Sequence, residues 1–368
     1  MPMNILESLL EEIAAMAASR PDREILMLFR RRMSKLEIDN PDAAMRIAHV
    51  ISSAGGLGAT RSFQALDKLP IDQDSGMELV YREECIKLEE PPILNTDTKK
   101  QVNRFITERE RVHDLRRAGI SPPSSLALMG KPGTGKTTLA RWMAARLKLP
   151  FLSVNIAGIV TSYLGQTGQN LKKVLDRAKL EPCLILLDEF DALGYHRGDD
   201  SDVGEMRRIV TVLLQEIENW PEHSIIIAAT NMPEQVDPAF RRRFSRWVDI
   251  PLPDFEIRLQ ILKHYYGTHK NSPSYLEVAA AGLAGASGAD LKEFVRRVRT
   301  AEIVENLSPR NAIWSELEPE IVDRIHEDQD RIQFAKSARE VDEKQFSYRS
   351  IGAILGISHT TARRLVSQ

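Results

Sequence analysis

Gly130-Lys131-Pro132-Gly133-Thr134-Gly135-Lys136-Thr137 places three glycines, a lysine and a hydroxyl between an apolar run, Leu126–Met129, and an amphipathic stretch. Glycine at these positions lets the chain curl until successive N–H groups point inward. A helix that opens at the lysine adds its positive N-terminal end to the same point. The ligand such a curl fits is a row of phosphates. Lys136 has the reach for the β- and γ-phosphates of a nucleoside triphosphate, and Thr137 can offer its hydroxyl to Mg²⁺. Pro132 stiffens the loop without removing a needed donor. The expected phosphate-binding set is therefore Gly130, Lys131, Pro132, Gly133, Thr134, Gly135, Lys136, Thr137 and Thr138. Taken alone, the motif also fits a glycine turn that merely joins a strand to a helix.

Leu184-Ile185-Leu186-Leu187-Asp188-Glu189-Phe190-Asp191 supplies the complementary chemistry. A buried strand that ends in paired carboxylates delivers them to the carboxyl edge of a sheet, where ligands of open α/β sheets bind. Asp188 suits a Mg²⁺ shell beside Thr137, and Glu189 suits activation of an attacking water. The alternative is an acidic strand end that only faces solvent. Ile225–Thr230 is a further apolar run, and it ends on Asn231. That amide is placed either to orient water near a γ-phosphate or simply to cap a turn.

The elements that must hold these residues follow from hydrophobic patterning. Ser125–Met129, Phe151–Val154, Leu184–Leu187, Ile225–Ala229 and Arg246–Ile250 are short apolar runs separated by longer amphipathic stretches. Strands alternating with helices predict an α/β fold, a P-loop-type parallel sheet with helices on both faces. After Pro251-Leu252-Pro253-Asp254 the pattern turns wholly helical, over Glu256–His264, Tyr275–Ala281 and Asp290–Glu302. Upstream, residues 77–89 hold a possible strand, and Thr96–Ala118 reads as one charged helix ending at Gly119. The predicted organisation is an N-terminal helical unit (1–60), a linker and flank of the αβ domain (61–120), the αβ domain itself (121–252), the helical part with its extension (253–335) and a tail (341–368). The N-terminal helices could dock a substrate or partner, or serve as a stabilising cap.

At 368 residues, 42% hydrophobic and 28% charged, the chain can bury a large core. A net charge of −2 gives no global attraction to nucleic acid, so any such contact needs a local patch. Cys85 and Cys183 stand far apart without His or Cys neighbours, which argues against a metal site or a disulfide, and Cys183 reads as a buried apolar residue. No apolar stretch approaches a membrane span, and no secretory leader opens the chain, so the expected location is the cytoplasm.

Together these motifs resemble the AAA+ ATPases, in the branch that includes katanin, spastin and the proteasomal ATPases, over residues 90–305. Gly130–Thr137 resembles the family's Walker A loop, Leu184–Glu189 its Walker B strand, and Asn231 its sensor-1 position. Asp237-Pro238-Ala239-Phe240-Arg241-Arg242-Arg243-Phe244 resembles its arginine-finger segment, in the compact katanin-like spacing. The resemblance implies a ring, expected to be hexameric, in which Arg242 and Arg243 reach the γ-phosphate held by the neighbouring subunit, with Arg241 the register-shifted third choice. Gly285-Ala286-Ser287-Gly288-Ala289-Asp290-Leu291 resembles the opening of a lid helix, with Gly288 and Ala289 giving backbone contacts to the nucleotide where other branches carry an arginine. Thr161-Ser162-Tyr163-Leu164-Gly165-Gln166 is similar to the family's central-pore loop, which makes Tyr163 and Leu164 the expected grip on a polypeptide. The bland reading of Tyr163 is an aromatic tucked under the next helix. The stretch 196–202 offers a weaker second pore loop.

The tail has its own pattern. In residues 346–365, Ile351, Ile354 and Leu355 form an apolar face, Gly356 suits a turn and Ser358 an N-cap, which resembles a helix-turn-helix. His359, Thr360, Arg363 and Arg364 could then meet a DNA groove, or the segment could be a plain helical hairpin packed on the lid. The sequence thus predicts a Mg²⁺-dependent ATPase that remodels or unfolds a protein through the pore of a ring. The alternatives are a DNA-associated ATPase regulator and an adaptor for a separate protease.

Overall fold

A computed structural model describes residues 80–83, 86, 90–156, 167–193, 200–267 and 274–367. The expected N-terminal helical unit, Cys85, and the pore-loop residues Tyr163 and Leu164 lie outside the described residues, as does most of 196–202. The chain divides into two units, 1–71 and 72–368, and all described residues belong to the second.

The sheet runs in the order β1-β3-β4-β5-β2-β6. Its strands are β1 (Tyr81–Glu83), β2 (Ser125–Met129), β3 (Phe151–Asn155), β4 (Leu184–Asp188), β5 (Ile225–Thr230) and β6 (Trp247–Asp249). Strands β2 to β6 are parallel, with Leu126 beside Ile227 and Leu186 beside Ile227 in register. β5 is buried along its whole length, and β2 and β4 are buried up to their last residues. Such unbroken apolar strands need cover on both faces. Leu126, Leu128, Leu184, Leu186, Ile225 and Ile227 face a layer that includes Val102, Phe105, Leu139 and Met143. The alternate residues Ile185, Leu187 and Ile226 point the other way and are buried as well.

Two details depart from the pattern-based reading. The strand expected within 77–89 is the three-residue β1, and it pairs antiparallel with β3, Tyr81 opposite Ser153. It is an edge strand, held by side chains: Arg141 donates to both oxygens of Glu83 at 2.8 and 2.7 Å, and Arg82 donates to Glu181 at 3.1 Å. An antiparallel edge on an otherwise parallel sheet is common in large α/β folds. The single helix expected over Thr96–Ala118 breaks at Arg111 into α1 (Thr96–Glu110) and α2 (Val112–Arg117). α1 buries Val102, Phe105 and Ile106, whereas α2 buries nothing, so no apolar stripe carries the helix axis onward.

The remaining elements of the αβ layer are α3 (Lys136–Leu147), α4 (Thr167–Ala178), α5 (Asp200–Glu218), the short α6 (Pro238–Arg241) and a 3₁₀ turn at Phe190–Leu193. Asp254 then caps α7 (Phe255–Tyr266), accepting from the Ile257 N–H at 2.9 Å. The helical part continues through α8 (Tyr275–Gly282), α9 (Gly288–Val304), α10 (Pro309–Arg324), α11 (Asp328–Val341), α12 (Tyr348–Leu355) and α13 (His359–Ser367). One hydrophobic core joins Leu262, Ala279 and Phe294 to Phe334, Phe346, Ile351, Ala362 and Leu365. Residues 341–368 therefore share a core with the lid. Among the described residues no helix is long and apolar enough to cross a membrane.

Candidate nucleotide-phosphate site

The phosphate loop lies between the C-terminal end of β2 and the start of α3, beside the ends of β4 and β5. Parallel strands all deliver their last residues to this one edge, which is why residues far apart in sequence meet there. Gly135, with φ 92°, turns the chain into α3, and Lys136 opens that helix with only 7% of its surface exposed. Its ammonium donates to the Gly130 carbonyl at 2.7 Å, the Lys131 carbonyl at 3.0 Å and Asn231 Oδ1 at 2.7 Å. Burial pulls the Lys136 pKa below its ordinary value, and the nearby Asp188 and Asp191 carboxylates oppose that. A buried ammonium among neutral acceptors gains most from a polyanion placed beside it.

Thr137 donates its hydroxyl to Asp188 Oδ2 at 2.7 Å, and the Glu189 N–H donates to Asp188 Oδ1 at 2.9 Å. A hydroxyl and a carboxylate so close form a hard oxygen pair, and Mg²⁺ prefers such donors while retaining several waters. The residues present therefore fit that ion. Glu189 itself has φ 55°, left-handed backbone that a non-glycine residue rarely adopts. It is exposed, and among the described residues its carboxylate has no partner.

Asn231 faces the same centre. Its side chain accepts from Lys136, and its N–H donates to Asp191 Oδ1 at 3.1 Å. The turn after β5 is instead held by Thr230, whose Oγ1 accepts from the Met232 N–H at 3.1 Å. The lid closes on the loop through backbone. Ala289 N–H donates to the Gly133 carbonyl at 3.1 Å, and Ser287 and Asp290 form a reciprocal capping box that fixes this end of α9. Gly133 has φ 77°, and a Cβ there would meet Ser287 Oγ at 2.4 Å. Gly133→Ala is therefore expected to force the lid off the loop, destabilising the fold by about 1–3 kcal/mol and weakening nucleotide binding about tenfold. Calorimetric unfolding and nucleotide titration measure both, and an unaltered affinity would show that the lid contact does not matter.

Sequence reasoning missed the cavity that lies beside this contact. It has a volume of about 230 Å³ and is lined by Ile93, Leu94, Asn95, Thr134, Ile250–Asp254, Ile257, Ile261 and Gly288. Lined by polar and apolar surface in about equal measure, it adjoins the phosphate loop at Thr134 and has room for a flat heterocycle. The signal was present in the Pro251-Leu252-Pro253-Asp254 segment, which by itself reads only as a boundary.

The three arginines after α6 have separate fates. Arg241 stacks over the Trp247 ring, 5.7 Å from its centroid. Arg243 is half-buried and paired with Glu218. Arg242 is exposed and, among the described residues, its side chain has no partner. Phe190 packs edge-on against Phe240 (4.8 Å) and Phe244 (5.9 Å), so the residue after Glu189 anchors the arginine segment. Lys131 and Pro132 are exposed at the loop tip, and Thr138 is exposed on the first turn of α3.

Residues 126–252 match the model of the ATPase family associated with various cellular activities (AAA). The chain is 35% identical over 205 residues to a protein described as an uncharacterized AAA family ATPase from Sinorhizobium fredii, covering 55% of this chain and 61% of that one. It is 40% identical over 181 residues to the proteasome-activating nucleotidase of Pyrococcus abyssi, covering 47% of this chain and 46% of the relative. It is also 34% identical over 207 residues to the ATP-dependent zinc metalloprotease FtsH of Myxococcus xanthus, covering 54% of this chain and 32% of the relative. The chain thus spans between a third and three-fifths of the length of these relatives. A phosphate loop backed by a parallel sheet, and matched by that family model, identifies residues 126–252 as an ATPase domain of the AAA family.

Proposed function

We propose that the protein is a Mg²⁺-dependent ATPase that works as a ring, taken to be hexameric, and uses hydrolysis to remodel or unfold a protein substrate. One observation carries the catalytic part: two hydrogen-bonded pairs, Lys136 with Asn231 and Thr137 with Asp188, stand at one sheet edge, with Glu189, which has no side-chain partner among the described residues, next to Asp188. Lys136 holds the β- and γ-phosphates once they displace its present acceptors. Thr137 and Asp188 would hold Mg²⁺, which would supply positive charge to the phosphate oxygens. Glu189 orients and deprotonates the attacking water while Asn231 fixes its direction. Arg242 is the finger offered to a neighbouring subunit, because Arg241 and Arg243 are engaged within their own chain.

The protein-substrate reading is supported by two relatives, a proteasome-activating nucleotidase and an ATP-dependent zinc metalloprotease. In this reading Tyr163 and Leu164 grip the substrate. The test is capture on a Glu189→Gln chain loaded with ATP: a polypeptide retained with ATP and released on exchange to ADP supports it. Adding Tyr163→Ala should abolish retention while leaving ATP binding intact. Retention unaffected by that change would remove Tyr163 from the grip. Delivery to a separate protease is the same chemistry with a partner added. A DNA-associated regulator is the second reading, favoured by the cation-only charge of residues 344–368.

A further inference from the structure

The C-terminal hairpin has a geometry and a charge distribution that packing on the lid does not require. α12 ends at Leu355 and α13 begins at His359, so the connection is Gly356, Ile357 and Ser358. Gly356 takes the left-handed conformation at φ 64°, and Ser358 Oγ accepts from the Thr361 N–H at 3.1 Å to start α13. The turn folds back closely: Ile357 N–H donates to the Gly352 carbonyl at 2.8 Å, and a Cβ on Gly352 would meet the Ile357 carbonyl oxygen at 2.7 Å. A tight three-residue turn between two helices is the architecture of a helix-turn-helix. α11 packs on α13 and supplies the third helix, with Phe334, Ala335 and Ala338 in the same core as Ile351, Ala362 and Leu365.

That core fixes which side of α13 faces out. Ala362 and Leu365 point inward, while Thr360, Arg363, Arg364 and Ser367 are exposed at helical spacing and form one continuous stripe. From residue 344 to 368 the only charged side chains are Lys344, Arg349, Arg363 and Arg364, with no Asp or Glu, although the chain as a whole carries −2. All four are exposed and form no ion pair among the described residues. Of the acids just before them, Asp342 is paired with Arg310 at 2.8 Å and Glu343 with Arg339, while Glu340 is exposed. Elsewhere on the helical part, Arg296, Arg297 and Arg324 are all matched to glutamates. Exposed cations without an ion-pair partner among the described residues, on a short helical hairpin that carries no acid, complement a polyanion.

We propose that α11–α13 bind duplex DNA, with α13 in the major groove. His359, Thr360 and Arg363, on the first turns of α13, meet base edges, and Arg364, Lys344 and Arg349 contact phosphates. The partner is duplex DNA because the exposed stripe is one helix wide and the major groove admits one helix, and because no exposed aromatic offers a stacking platform for single strands on this face.

The test uses the full chain and a labelled duplex of randomised sequence about three helical turns long, followed by fluorescence anisotropy between about 50 and 200 mM salt. Wild type should bind with steep salt dependence. The double variant R363A/R364A should bind at least about tenfold more weakly, with a log–log salt slope shallower by about one, because the Arg363 base contact and the Arg364 phosphate contact are lost. Both arginines are exposed, so the fold and basal ATPase should be unchanged. T360A should retain salt-dependent binding and alter the sequences recovered from the randomised pool. The proposal is overturned by wild-type protein that leaves the duplex unbound at about 50 mM salt, by a double variant with wild-type affinity and slope, or by equal affinity for the single strand.

Discussion

Glu189→Gln is expected to bind ATP with near wild-type affinity and to hydrolyse it about 10²- to 10⁴-fold more slowly, the range for losing a general base. The substitution keeps the shape of the side chain and removes only its basicity. It leaves untouched the contacts that organise the site, because Asp188 is held by the Thr137 hydroxyl and by the backbone N–H of residue 189, which glutamine also possesses. Single-turnover hydrolysis separates binding from chemistry. Turnover within a few-fold of wild type would remove Glu189 from the reaction and leave its left-handed backbone as a feature of the strand end alone.

Arg242→Ala is expected to lower turnover by about 10³-fold or more at full nucleotide occupancy, as loss of an arginine finger does. Neighbouring substitutions are the control. Arg241→Ala loses a stack on Trp247 and Arg243→Ala a partly exposed pair with Glu218, and each is worth about 1 kcal/mol or less. Neither should approach the effect at residue 242. If Arg243→Ala proved the more damaging, the pairing with Glu218 would have to open in the working ring and the finger assignment would move one residue on.

Much of this site was legible because its parts are local. The glycine loop, the acidic end of β4 and Asn231 each carry their meaning within a few residues. The strand period that buries Leu184–Leu187 also dictates where Asp188 emerges. The less legible parts depend on contacts between segments distant in sequence. Nothing near Arg241, Arg242 or Arg243 distinguishes them. Only Trp247 and Glu218, brought in by folding, single out Arg242. Ser287 read as a helix cap, and its closeness to Gly133 appears only when the lid meets the loop. The break at Arg111 was invisible to a pattern that weighed charge more than burial. β1, three residues long with an exposed first residue, has too little apolar alternation to fix its direction. The tail could be read as a hairpin on the lid or as a helix-turn-helix; its inner face belongs to the lid core, and its outer face carries exposed cations.

The central claim is that one active site is built from two subunits, and mixing two inactive chains tests it most directly. In a co-assembly of Glu189→Gln and Arg242→Ala chains, some interfaces join an intact Glu189 on one subunit to an intact Arg242 on the next. The account predicts that ATPase activity, nearly absent from either variant alone, reappears on mixing and rises with the fraction of such interfaces. Mixed assemblies, verified by mass, that stay as inactive as their parents would contradict it.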